Sequence, residues 1–294
     1  MSQAVIAFPE CAGPAARLAA ALGIEMREVS LHRFPDGESL VRVPQVAETT
    51  LLYRSLDRPN EKLVELLLAA SAARDAGARR LILIVPYLAY MRQDVAFHEG
   101  EAVSQRVIGK LLAAHCDALV TVDPHLHRVA SLAEVMPGIE TVCVSAAPAL
   151  AQALDAVANP LLVGPDAESR PWVEAIAHPA RLDFVVGHKA RRGDRSVEIT
   201  IPDAGRAAGR SVVLVDDLLS TGSTLKAAAQ LLHEAGASQI DVLATHCLAS
   251  DPDIVQLRAA GVRSIRASDT TRHPLATLPI ADALARQIRR RQWW

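Results

Sequence analysis

Residues 211–224 (SVVLVDDLLSTGST) combine an apolar run, two acids and a small hydroxyl-rich turn in a way few folds accommodate. Val212, Val213, Leu214 and Val215 form an apolar run without alternation, the pattern of a strand covered on both faces in a parallel sheet. Asp216 and Asp217 follow at its carboxyl end, and then the small, hydroxyl-rich turn Ser220, Thr221, Gly222, Ser223 and Thr224. Leu225, Ala228, Ala229, Leu231 and Leu232 recur at helical spacing up to Gly236, a natural stop. Strand, acidic pair, tight loop and helix N-terminus in that order predict an open α/β sheet with its chemistry at a strand end.

Each part has a use at a sugar phosphate. Backbone N–H groups at a helix start carry partial positive charge, so Thr221 to Thr224 can hold a phosphate with main-chain donors and hydroxyls. Gly222 lets the backbone come close, and Asp216 with Asp217 can accept hydrogen bonds from adjacent ribose hydroxyls. The plainer alternative is that the acids cap a turn and Ser223 or Thr224 caps a helix.

The pattern recurs along the chain. Strands are predicted at residues 4–8, 40–43, 50–56, 81–85, 118–122, 141–144, 161–164, 184–186, 240–245 and 262–267, with an extended stretch at 26–33. Helices are predicted at 14–22, from Asn60 to Gly77, and at 102–115, 148–157, 168–177 and 279–290, with one more started by Asp251-Pro252. On the helix at 102–115, Val103, Val107, Ile108, Leu111 and Leu112 are expected to form the apolar face. Residues 196–201 complete a hairpin with the strand before them. A chain of 294 residues is comfortable for two domains, and the pattern restarts near residue 145. We therefore expect domains at 1–145 and 146–294, each α/β with a mostly parallel sheet flanked by helices.

Several function classes are disfavoured. The formal net charge of −2 argues against a nucleic-acid protein held by bulk electrostatics, and the cluster Arg289-Arg290-Arg291 reads as a solvated helix end. The cysteines Cys11, Cys116, Cys143 and Cys247 stand too far apart for a zinc site and read as reduced thiols. No apolar run is long enough to cross a bilayer and the N-terminus lacks a signal pattern, so no membrane association and a cytoplasmic location are expected. Neither a P-loop nor a G-x-G-x-x-G follows any predicted strand.

Polar chemistry gathers just past the strand ends instead: Phe34-Pro35-Asp36-Gly37-Glu38, Arg92-Gln93-Asp94, Asp123-Pro124-His125, Pro165-Asp166, and Lys189-Ala190-Arg191. Taken singly, each has an ordinary structural explanation as a turn, a cap or a solvated hairpin tip. With residues 211–224, their fixed order resembles the ribose-phosphate pyrophosphokinase family, closer to its archaeal-type members at Ser220.

The resemblance implies two tandem type I phosphoribosyltransferase-like domains and transfer of the diphosphoryl group of ATP to the anomeric hydroxyl of ribose 5-phosphate, giving phosphoribosyl pyrophosphate and AMP. It implies that Phe34, Asp36, Gly37 and Glu38 hold ATP from a neighbouring subunit of a homo-oligomer, together with Arg92 and Gln93. Lys189 and Arg191 match the catalytic pair of a flexible loop. His125 and Asp166 match metal-associated residues, with Mg²⁺ as the cofactor. Asp216, Asp217, Ser220, Thr221, Gly222, Ser223 and Thr224 match the ribose 5-phosphate loop. Ser223 departs from the glycine usual there, and Ala167-Glu168-Ser169 from a glycine-rich continuation. Two other readings are a nucleobase phosphoribosyltransferase using the same loop and a noncatalytic regulatory paralogue.

Overall fold

The protein is described by a computed structural model covering residues 2–154, 159–192 and 196–293. The chain divides into two compact units: Met1–Ser145 with Thr270–Arg272 and Pro279–Trp294, and Ala146–Asp269 with His273–Leu278.

In the first unit, β1 (Gln3–Ala7), helix α1 (Ala12–Leu22) and β2 (Glu25–Glu28) are followed by β3 (Ser30–Arg33) and β4 (Ser39–Arg42). Then come β5 (Thr49–Tyr53), α2 (Pro59–Asp75), β6 (Arg80–Val85), α3 (Ser104–Ala113), β7 (Ala118–Val122), α4 (Leu132–Val135) and β8 (Glu140–Val144). Six strands make one sheet in the order β2-β1-β5-β6-β7-β8, every pair parallel. Its middle strands are apolar without alternation because both faces are covered: Ile6, Leu52, Leu83 and Leu119 cluster with Leu66 and Leu112 on one, and Val5, Leu51, Ile82 and Val120 are buried on the other. The extended stretch at 26–33 is two strands rather than one. The N–H of buried Val29 donates to the Ala7 carbonyl, and beyond it the chain leaves the sheet to form an antiparallel β3–β4 hairpin.

The second unit repeats this plan. After α5 (Ala147–Gln152) come β9 (Leu161–Gly164), α6 (Arg170–Ala180), β10 (Phe184–Val186), β11 (His188–Arg192) and β12 (Ser196–Thr200). They lead to β13 (Ser211–Leu219), α7 (Ser223–Glu234), β14 (Gln239–Cys247), α8 (Asp251–Ala259), β15 (Val262–Ser268) and β16 (Ala276–Leu278). The sheet order is β10-β9-β13-β14-β15-β16, again all parallel. In both units the second sheet strand lies outside the first, and an antiparallel hairpin precedes the third. The core gathers Leu161, Val163, Val212, Leu214, Leu225, Leu232 and Val242.

Some expectations are corrected. The last helix, α9 (Ala281–Arg290), was assigned with everything after residue 145 to the second domain; it packs in the first unit, against α1 and β8. Trp293 Nε1 donates to Glu140 Oε2 at 2.7 Å, and Arg291 pairs with Glu140 Oε1 at 3.2 Å, tying this end to β8. On α3 the buried residues are Gln105, Gly109 and Leu112, while Val107 and Leu111 are exposed. Gln105 turns inward because its amide donates to the Met91 carbonyl, and Gly109 because any side chain there would overlap Val135. The predicted helix at 148–157 ends at Gln152, with Val157 outside the described residues. All four cysteines are free; Cys11, Cys116 and Cys247 are buried and Cys143 is exposed.

Candidate active site

Strand β13 runs further than its apolar run suggests. It pairs with β14 as far as Leu219 opposite Cys247, but with β9 only as far as Leu214 opposite Val163. Asp216 and Asp217 therefore stand within the strand rather than after it, on the length that projects past β9. Although successive strand residues alternate faces, the two carboxyls interact, by charge and by a side-chain hydrogen bond. Asp217 is buried, and its N–H donates to Asp216 Oδ1 at 3.0 Å.

Asp166, two residues beyond the end of β9, lies in this gap beside the projecting strand. One of its oxygens accepts from the Glu168 N–H at 3.1 Å, so it does cap a turn, the plainer expectation for it. The other is 3.8 Å from Lys189 Nζ. The carboxyl of Asp216 is pushed well above the usual carboxylate range, first by burial, then by the charges of Asp217 and Asp166. Carboxylates facing one another are relieved by a cation, and Lys189 is one that the fold brings to their edge.

The loop after β13 leads directly into a helix start. Gly222 adopts a left-handed conformation (φ +68°) and caps α7, and the Lys226 N–H makes the first intrahelical bond, to the Gly222 carbonyl, at 2.8 Å. The N–H groups before Lys226 thus point out of the helix, next to the exposed side chains of Thr221 and Ser223. Neither Ser223 nor Thr224 caps the helix; both stand in its first turn. Arg191 lies on β11 two residues beyond Lys189, while residues 193–195 of the expected loop lie outside the described residues.

The remaining predicted residues belong to the first unit. Residues 34–38 form the tip of the β3–β4 hairpin, closed by Phe34 N–H to Glu38 carbonyl at 2.8 Å, with Gly37 at φ +93° and Phe34 exposed. Arg92 and Gln93 follow β6; Arg92 is exposed, and the Gln93 amide donates to the Val95 carbonyl at 3.1 Å. His125 follows β7 beyond Asp123, and its ring meets that of His127 edge-on, centroids 3.9 Å apart.

Sequence reasoning missed two glycines. Gly187 donates its N–H to the Gly164 carbonyl at 2.8 Å, joining β10 to β9 just before Lys189. A Cβ on Gly187 would overlap the Pro165 carbonyl, and one on Gly164 would overlap Ser169 Oγ. A bare backbone at both positions lets the segments that lead to Asp166 and Lys189 pack this closely. Their signal in the sequence was a glycine directly after each apolar run.

Comparison with known proteins agrees with this architecture. Residues 4–115 match a family model described as the N-terminal domain of ribose phosphate pyrophosphokinase, and residues 137–264 match a phosphoribosyl transferase domain. The ribose-phosphate pyrophosphokinase of Methanopyrus kandleri is 34% identical over 274 residues, 92% of this chain and 94% of that protein. This chain belongs to the ribose-phosphate pyrophosphokinase family. Ribose-phosphate pyrophosphokinase 2 of Archaeoglobus fulgidus is 32% identical over 97% of this chain and 99% of its own length. The crystal structure of phosphoribosylpyrophosphate synthetase from Mycobacterium smegmatis superposes with a TM-score of 0.81 at 27% identity, covering 98% of each chain. The expected fold, two α/β parallel-sheet regions of phosphoribosyltransferase type, is the one observed. Among the described residues no helix is long and apolar enough to cross a membrane.

Proposed function

We propose that this chain transfers the diphosphoryl group of ATP to the anomeric hydroxyl of ribose 5-phosphate. The observation that carries the reading is the convergence, at the carboxyl end of one sheet, of an acidic strand end, a helix N-terminus open to an anion and the Lys189 cation. The hydroxyl oxygen attacks the β-phosphorus, the bond from that phosphorus to the α-phosphate oxygen breaks, and AMP leaves. Such a reaction requires positioning and charge neutralisation more than covalent chemistry.

Residues 220–224 hold the 5-phosphate with backbone donors and hydroxyls. Asp216, with Asp217 beside it, orients the ribose hydroxyls. Lys189, with Arg191 on the same strand, moves from Asp166 onto the transferring phosphoryl group as charge develops there. Phe34, Asp36, Gly37, Glu38, Arg92 and Gln93 hold ATP, the hairpin tip acting on the nucleotide of a neighbouring subunit in a homo-oligomer. The mutual repulsion of Asp166, Asp216 and Asp217 and their hard oxygen donors fit Mg²⁺. Asp166 would hold it, and His125 is assigned to metal association on the family resemblance. When bound, the ion neutralises phosphate charge and orients the oxygens.

The test is formation of phosphoribosyl pyrophosphate from ATP, Mg²⁺ and ribose 5-phosphate. Product that appears only with both substrates supports the reading. Consumption of added phosphoribosyl pyrophosphate only when a nucleobase is supplied contradicts it.

A further inference from the structure

Helix α2 carries a carboxylate on its buried stripe. Leu63, Leu66, Ala69, Ala70 and Ala73 face the core, and Glu65 is buried with them. A buried carboxylate is costly unless paired and fully hydrogen-bonded. Glu65 meets both conditions. Its Oε2 accepts from Arg54 Nη2 at 2.5 Å, and Arg54 is itself buried. Arg54 stacks on the ring of Phe8, 3.7 Å from its centroid, and also donates to Glu10 at 2.8 Å and to the Lys62 carbonyl at 3.1 Å.

The other oxygen faces the hairpin. Glu65 Oε1 accepts from Arg33 Nε at 3.1 Å and from Ser39 Oγ at 2.9 Å. Arg33 and Ser39 are register partners, the last pair of the β3–β4 ladder before residues 34–38. Arg33 Nη1 also reaches Glu61 on α2 at 2.8 Å. One carboxylate oxygen therefore grips both strands where the exposed turn leaves them, and a fully buried arginine holds that carboxylate in place.

We propose that Glu65 is a positioning residue for the nucleotide-holding turn at residues 34–38, with Arg54 as its counter-ion. The proposal rests on the assignment of that turn to ATP. Packing α2 on the sheet calls only for apolar residues at this position, whereas two bonds to the base of a two-stranded, solvent-exposed hairpin fix where its tip stands. Glu65 stays ionised to do so: burial would raise its pKa, but Arg54, Ser39 and Arg33 outweigh it and hold the carboxyl below the usual range. The role lies in ordering the turn before the nucleotide arrives, which reduces the ordering cost of binding.

The test uses two variants of the full chain. Arg33→Ala/Ser39→Ala removes the hairpin's bonds and leaves the buried pair intact. Arg54→Leu/Glu65→Leu removes both charges together, so no unpaired ion is left in the core. Each is expected to raise KM for ATP about tenfold or more while kcat and KM for ribose 5-phosphate stay within about twofold. Backbone amides of residues 34–38 should exchange faster in both variants, with the sheet amides unchanged. Arg54→Gln/Glu65→Gln keeps an acceptor for Arg33 and Ser39 and should return KM for ATP to within about threefold of wild type.

A fall in kcat with both KM values unchanged, or wild-type KM and exchange in both variants, overturns the proposal. A wild-type protein without ribose-dependent AMP formation would instead overturn the assignment on which it rests. The exchange of residues 34–38 would still decide whether Glu65 orders them.

Discussion

Lys189 Nζ stands 3.8 Å from Asp166 Oδ2, so the cation of the β11 hairpin rests on the carboxylate that follows β9. The separation exceeds the 2.7–2.9 Å or so of a charge-assisted hydrogen bond, and the lysine is partly open to solvent. A loose, part-exposed pair of this kind is worth roughly 0–1 kcal/mol, so exchanging Asp166 for a phosphoryl oxygen costs little. Among the described residues the pair with Asp166 is loose enough for the lysine to exchange it for another anion.

Lys189→Ala should lower kcat by about 10²–10³-fold, the scale of losing one preorganised charge at a developing negative centre. Binding of ribose 5-phosphate, measured by calorimetry without ATP, should be retained. Wild-type turnover in this variant would remove the lysine from the mechanism.

Gly187→Ala probes the same relationship through the backbone. A Cβ there would meet the Pro165 carbonyl, which forces the start of the β11 hairpin away from Asp166. We expect a folded protein with kcat/KM reduced about 10²-fold, the usual penalty for displacing a catalytic group by an ångström or so. Far-ultraviolet circular dichroism and steady-state kinetics on the same preparation separate this from unfolding.

Asp216 sets a pH dependence whose sign follows from its raised pKa. The folded protein binds this proton more tightly than the unfolded chain, so stability is greatest below the unfolded carboxyl pKa and declines as pH rises through the folded value. Asp216→Asn removes that loss. In the absence of ligands and metal it should raise the unfolding temperature at neutral pH and flatten its decline with pH, while abolishing use of ribose 5-phosphate. Thermal scans at a series of pH values from the ordinary carboxyl range upward check the first point. A variant less stable than wild type at neutral pH would contradict it.

Gly222 occupies a left-handed conformation, with Leu257 Cδ1 only 3.0 Å from where a Cβ would stand. Gly222→Ala should cost about 1–2 kcal/mol of stability from the backbone alone. It should also raise KM for ribose 5-phosphate more than KM for ATP, because only the sugar phosphate is assigned to this helix start. Equal increases in both would detach the loop from the 5-phosphate.

Much of this was legible in the sequence because buried parallel strands announce themselves. The runs at residues 118–122, 161–164 and 184–186 stop where β7, β9 and β10 stop, each cut off by a polar residue, proline or glycine. The acids of β13 were read as lying beyond the strand, because an apolar run marks where both faces are covered and not where pairing ends. Pairing with β14 carries five more residues than pairing with β9, and no local signal encodes that difference. Glu65 goes unnoticed because helical spacing counts a glutamate as a polar position; its partners Arg33 and Ser39 come from β3 and β4, and Arg54 from the residue after β5. The inward turn of α3 was hidden likewise, since Gln105 is buried through a bond to the Met91 carbonyl that no periodicity reports.

Diphosphoryl transfer is distinguished from transfer of a single phosphoryl group by the fate of the β-phosphate. With ATP labelled in its β-phosphate, Mg²⁺ and ribose 5-phosphate, the predicted result is AMP and labelled phosphoribosyl pyrophosphate in equal amounts, with neither formed when ribose 5-phosphate is omitted. ADP in place of AMP, with the β-label left on the nucleotide, would mean transfer of a single phosphoryl group and would contradict the account.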